Sequence, residues 1–96
     1  MKKAPKAKVI KFYTDPGHGW AAAKYTELDA LGIADKITPY SYRHGNTVYL
    51  EEDCDFTTYT KALIKSGVQF RIETRHFEGT HRIRYYDSYK NNCENV

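Results

Sequence analysis

Residues 8–31 read KVIKFYTDPGHGWAAAKYTELDAL, and how this stretch divides decides the fold. Its opening, 8–14, has the alternation of a strand: Ile10 and Phe12 fall on one side, Val9, Lys11 and Tyr13 on the other. Asp15-Pro16-Gly17-His18-Gly19 breaks the strand, because proline and glycine favour a loop. From Trp20 the chain is rich in helix formers. Trp20, Ala23, Leu28 and Leu31 make an apolar stripe, so a helix over 20–31 is predicted, with Gly32 at its C′ position.

Working outward, ITPYSYR (37–43) and TVYLE (47–51) read as strands joined through His44-Gly45-Asn46, with Pro39 placing the first at a sheet edge. Asp53 or Asp55 then caps a helix over 55–66, whose apolar stripe is Phe56, Tyr59, Ala62 and Leu63 and whose stop is Gly67. Residues 68–75 alternate Val68, Phe70 and Ile72 against Gln69, Arg71, Glu73 and Arg75. Glu78-Gly79-Thr80 reads as a turn, and 81–86 (HRIRYY) as a further strand. The order β-α-β-β-α-β predicts an α+β domain of the ferredoxin-like split βαβ type, with an extra C-terminal strand or extended segment. Its limits are a flexible basic N-terminus (1–7), one domain (8–87) and a polar C-terminal tail (88–96).

With 96 residues the chain fits one core and no more. Charge is uneven although the net is only +3: residues 1–11 hold five lysines and no acid, while 51–55 hold the acidic run Glu51, Glu52, Asp53 and Asp55. Such asymmetry either suits an anionic partner or balances charge for solubility. Cys54 and Cys93 lie far apart with no CxxC, no apolar run approaches a membrane span, and no signal peptide is read. A reducing cytoplasm is the expectation, with no membrane partner.

With the aliphatic side of each strand toward the helices, the opposite face is expected to carry Tyr13, Tyr40, Tyr42 and Tyr49, with Arg71 and Arg75 beside them. Tyrosine and arginine are enriched at protein-binding hot spots, and the same pair can stack bases and hold phosphates. A third reading has the C-terminal segment covering the tyrosines. Arg82 and Arg84 would project together along the last strand and add to an anion-binding surface, or form a solvated face balanced by Glu73 and Glu78.

The loop with Asp15, His18 and Trp20 is the most distinctive stretch. Either Asp15 orients His18 for proton transfer, or both satisfy loop backbone while Trp20 anchors the core. The loop lacks the GxxxxGK[ST] of a phosphate-binding loop. The acidic run lacks the glycine of an EF-hand, the histidines and cysteines lack zinc-ligand spacing, and no serine sits in a nucleophile elbow. No catalytic residue, metal or cofactor is assigned, and the chain is read as a non-enzyme.

D-P-G-H-G-W at 15–20, L-G-I-A-D-K-I at 31–37, Y-S-Y at 40–42 and Y-L-E-E-D-C-D at 49–55 together resemble short accessory proteins of tailed bacteriophages and prophages. The resemblance covers roughly residues 8–86. It implies a product acting in the cytoplasm of the host bacterial cell by binding a host or phage protein complex, including inhibitors of defence systems of the anti-CRISPR class. Two rivals stand beside it. One is direct RNA or DNA binding through the basic, tyrosine-rich face. The other, by fold analogy, is a metal-dependent nuclease of the ferredoxin-like CRISPR-adaptation type with Asp15 on the metal. A homodimer through the open tyrosine face is also expected.

Overall fold

The computed structural model describes residues 7–89. The expected N-terminal segment up to residue 6, and the expected tail from residue 90 with Cys93, lie outside the described residues. In chain order the elements are β1 (Lys8–Thr14), β2 (Gly19–Lys24), α1 (Tyr25–Ala30), a 3-10 turn at Ala34–Lys36, β3 (Tyr42–His44) and β4 (Thr47–Glu51). Then come α2 (Asp55–Lys65), β5 (Phe70–His76), a second 3-10 turn at Arg82–Tyr85, and β6 (Asp87–Ser88). The strands form one mixed sheet in the order β5-β1-β2-β4-β3-β6, with β5 parallel to β1 and the other pairs antiparallel.

The chain is thus an α+β protein, but this strand order does not clearly show the ferredoxin-like split expected from the element order. The difference begins at Trp20-Ala21-Ala22-Ala23-Lys24, predicted as helix and found as strand. The loop after Thr14 closes tightly, the Asp15 N–H donating to the His18 carbonyl at 2.9 Å, so the chain returns beside β1 with Tyr13 opposite Trp20. β2 is then central, flanked by β1 and β4, and Ala21 and Ala23 are buried against the helices. Ladder bonds on both sides of a central strand outweigh the modest helical preference of alanine. Only the second half of the predicted helix is helical.

Two further stretches differ from expectation. Of residues 37–43 only Tyr42 and Arg43 pair as strand, since Ile37 is buried and Thr38 and Ser41 turn inward to Asp55. Residues 81–86 do not pair as a strand; Arg82–Tyr85 form a 3-10 turn, and pairing resumes only at β6, where Ser88 lies opposite Tyr42. Ser88 and Tyr89, placed in the tail by the sequence reading, belong to the fold: the Tyr89 N–H donates to the Ser41 carbonyl at 2.8 Å.

The core follows the predicted faces of β1, β4 and α2. Ile10, Ala21, Ala23, Leu28, Val48, Leu50, Tyr59 and Leu63 pack together, and the Phe12 ring meets Phe56 at 5.1 Å. The buried Tyr59 hydroxyl donates to Glu27 at 2.8 Å, so the ring is buried without an orphaned polar tip. Gly67 ends α2 with a φ of +77°, as its C′ position requires. The N-terminus of α2 is capped by neither predicted aspartate. Instead the Glu51 carboxylate reaches forward from the end of β4 and accepts the N–H groups of Asp53, Cys54 and Asp55. Burial opposes its ionisation, but these three donors hold its pKa below the usual range.

Asp55 opens α2 and is almost fully buried. It accepts the Thr38 N–H at 3.1 Å, the Thr38 hydroxyl at 2.7 Å and the Ser41 hydroxyl at 2.5 Å, while the Ser41 oxygen accepts the Glu51 N–H at 2.9 Å. One carboxylate therefore fixes the connection before β3, the end of β4 and the start of α2. Replacing it strands the buried Ser41 hydroxyl and two partly buried donors of Thr38, so Asp55→Ala is expected to lose about 2–4 kcal/mol in urea unfolding. A loss below about 0.5 kcal/mol, the scale of an ordinary surface change, would contradict this account.

Candidate functional site: the aromatic sheet face and its acidic cleft

Strand alternation sends Lys11, Tyr13, Trp20, Tyr42 and Tyr49 to the sheet face opposite the helices. Register brings them together: Tyr13 pairs with Trp20 and Arg75, and Tyr49 with Ala22 and Tyr42. Arg71 and Arg75 share this face with Tyr13, as the sequence predicts. Tyr40 does not lie on a strand; it sits in the bend before β3, 72% exposed.

The C-terminal segment folds back across part of the face. The His81 ring lies 5.6 Å from Tyr13, 6.2 Å from Trp20 and 5.6 Å from Phe77. Tyr86 stacks on His44 at 4.4 Å and meets Tyr49 at 5.4 Å. Arg84 spans the Trp20 ring at 5.7 Å. The contributions of His81 and Tyr86 are not legible in the sequence, because HRIRYY alternates like a strand and hides a turn that lays its rings on the sheet; His44 reads as part of a hairpin loop and is found at the end of β3.

Asp15 holds this segment down. Its Oδ2 accepts the His81 N–H at 2.9 Å and Arg84 Nε at 2.7 Å, and its Oδ1 accepts Arg84 Nη2 at 2.8 Å. Oδ1 also accepts the Gly17 and His18 N–H groups at 3.0 Å, closing the loop. Arg84 is therefore committed to an internal ion pair and does not stand beside Arg82, which is exposed. Gly17 makes room for it: a Cβ there would come within 2.6 Å of Arg84 Nη2. The close approach that Gly17 permits is made by this side chain, and the one that Gly19 permits by the Phe12 ring, 2.7 Å from where a Cβ would stand. His18 is not oriented by the Asp15 carboxylate; its ring lies 6.1 Å from Trp20.

Beside the covered part lies a cleft of about 410 Å³ lined by His18, Gly19, Trp20, Tyr40, Tyr42 and residues 51–54. Aromatic rings wall it and acids rim it. Among the described residues the side chains of Glu52 and Asp53 make no hydrogen bond or ion pair. Negative charge from Glu51, with burial and further charge from Asp55 and Asp53, pushes the Cys54 thiol pKa up, the reverse of an activated nucleophile. On the helix side of the sheet, at the ends of β1 and β5, the Thr14 hydroxyl lies 2.7 Å from His76 Nδ1, and His76 Nε2 lies 3.0 Å from Glu78. Glu78 is 90% exposed, where such a pair contributes little. Among the described residues no three His, Cys, Asp or Glu side chains gather as metal ligands, and no helix is long and apolar enough to cross a membrane.

No protein-family profile, curated protein or solved structure shows a significant match to the chain.

The Arg84 guanidinium holds the Asp15 carboxyl well below the usual carboxylate range, against the opposing effect of burial and with help from the His81, His18 and Gly17 N–H groups. Asp15 therefore takes up a proton less readily folded than unfolded. Its contribution is complete above the unfolded-state value of about 3.9 and is lost as pH falls below it. The stability gap between wild type and Asp15→Asn should be widest near neutral pH and narrow as pH falls from about 5 toward 2. Fluorescence of Trp20, the single tryptophan, reads it directly, and a gap independent of pH would refute the clasp.

Proposed function

We propose that this chain is a small phage-type accessory protein that binds a host or phage protein complex in the host bacterial cytoplasm and blocks it, in the manner of the anti-CRISPR class. The observation that carries the reading is the cleft walled by the exposed Tyr40 and the half-buried Tyr42, with the buried Trp20 behind them, and rimmed by Glu52 and Asp53. Aromatic faces and carboxylates together attract a protruding Arg or Lys side chain, through cation–π attraction and charge. A basic surface of the kind that handles nucleic acid offers such side chains, and occupying it needs no catalytic group. Tyr40 and Tyr42 are the central contacts of this reading. Tyr13 and Tyr49, beneath His81 and Tyr86, contribute less.

A second reading, direct binding of RNA or DNA, is favoured by one observation: Lys11, Arg71 and Arg75 flank Tyr13 on the same face, and all three cations are exposed. The third, a metal-dependent nuclease in a ferredoxin-like dimer, draws no support from Asp15, whose two oxygens are taken by Arg84.

Affinity purification of the tagged chain from infected bacterial lysate, with and without nuclease, separates the first two. The blocking reading expects a stoichiometric protein complex that survives nuclease and whose affinity falls about tenfold or more in Tyr40→Ala and Tyr42→Ala. Loss of all partners after nuclease, with affinity falling steeply with salt, would transfer the assignment to nucleic acid.

A further inference from the structure

The two edges of the sheet are built differently. β6 is a two-residue edge, too short to template another chain. β5 is a seven-residue edge with only β1 beside it. Its outward backbone groups follow from the ladder. The Lys8 N–H donates to the Gln69 carbonyl and the Phe77 N–H to the Thr14 carbonyl. Odd-numbered residues of β5 therefore turn their backbone groups toward β1, and Phe70, Ile72, Thr74 and His76 turn theirs outward. Among the described residues these outward groups accept and donate no backbone hydrogen bond.

The side chains along this edge match a copy of themselves. Ile72 is 44% exposed in the middle of the strand, so the edge carries an open aliphatic side chain beside its unpaired backbone groups. Arg71 precedes it and has no ion pair among the described residues; Glu73 follows it and meets Lys11 at 3.9 Å and Arg75 at 3.6 Å through Oε1 alone, so its other oxygen is open to a further cation. Placed antiparallel to itself about an axis at Ile72, the strand sets Ile72 opposite Ile72, Phe70 opposite Thr74, and Arg71 opposite Glu73 on both sides of the axis. The outward-facing residues then fall on the hydrogen-bonded pairs. Arg71 and Glu73 fall on the closer, non-hydrogen-bonded pairs, with Cα atoms about 4.5 Å apart. Shifting the axis by one residue, to Glu73, sets Glu73 against Glu73 and Arg71 against Arg75, which repel.

We propose that β5 is a self-complementary edge on which a second copy of this chain docks by antiparallel pairing about a two-fold axis at Ile72. The two sheets become one continuous sheet, and each aromatic face and its cleft is presented twice. The surface used is the edge, not the tyrosine face, so it leaves the binding reading above independent.

Sedimentation equilibrium of the full chain tests it. The expected result is a reversible dimer. Thr74→Pro removes an outward N–H that β1 does not use, a position where an edge strand tolerates proline, and is expected to give a monomer. Arg71→Glu and Glu73→Arg each set like charges opposite one another and are expected to raise the dimer dissociation constant about tenfold, while the double swap restores it. Circular dichroism checks that each variant is folded; if Thr74→Pro is not, the swap series decides alone. A chain monomeric at every concentration overturns the proposal. So does a dimer indifferent to all these changes, or a double swap that fails to recover.

Discussion

A buried carboxylate at the end of β1 ties together parts of the chain that lie far apart in sequence. Asp15 accepts five hydrogen bonds, two from its own loop and three from residues 81 and 84, more than sixty positions later. An ionised carboxylate removed from water is tolerated only when its lone pairs are satisfied and its charge is met, and Arg84 does both in a bidentate grip. Two consequences follow from the single residue. The loop is tight enough for β2 to return directly beside β1, and the segment between β5 and β6 is drawn across the sheet instead of extending as another strand.

Asp55 plays the corresponding part at the start of α2. It gathers Thr38 and Ser41, so the stretch before β3 is held by side-chain acceptors instead of a ladder, and its strand shrinks to three residues. Glu51, adjacent through Ser41, caps the helix from the preceding strand. The apolar core is ordinary for a small domain. What makes this topology specific is that the connections are pinned by carboxylates whose donors come from the backbone and hydroxyls of distant segments, a geometry that an alternative pairing would leave unsatisfied.

These carboxylates also mark the limit of what the sequence makes legible. Alternation in KVIKFYT, TVYLE and VQFRIE, and the stripe Phe56, Tyr59, Leu63, place β1, β4, β5, α2 and the two sheet faces correctly, because each is a local pattern with a fixed period. Tyr13, Tyr42, Tyr49, Arg71 and Arg75 meet on one face for the same reason. Trp20–Lys24 and residues 81–86 depend on partners far along the chain. Alanine carries no periodic signal of its own as strand or helix, and HRIRYY carries a misleading one. Nothing in a local window announces that Asp15 will hold Arg84, so neither the β1–β2 hairpin nor the commitment of Arg84 was readable.

That commitment shapes the surface. A sheet face with this many rings would be an indiscriminate adhesive patch if left bare. The segment held by Asp15 covers Tyr13 and Tyr49 with His81 and Tyr86, and stops short of Tyr40 and Tyr42. What stays open is a concave corner between the bend before β3 and the acidic end of β4, backed by the buried start of β2, where the rings of Tyr40 and Tyr42 and uncompensated negative charge coincide. Covering one end of the face therefore sharpens the other. The exposed area is reduced to a corner with a defined shape and sign of charge, and specificity between partners comes from such complementarity more than from total apolar area.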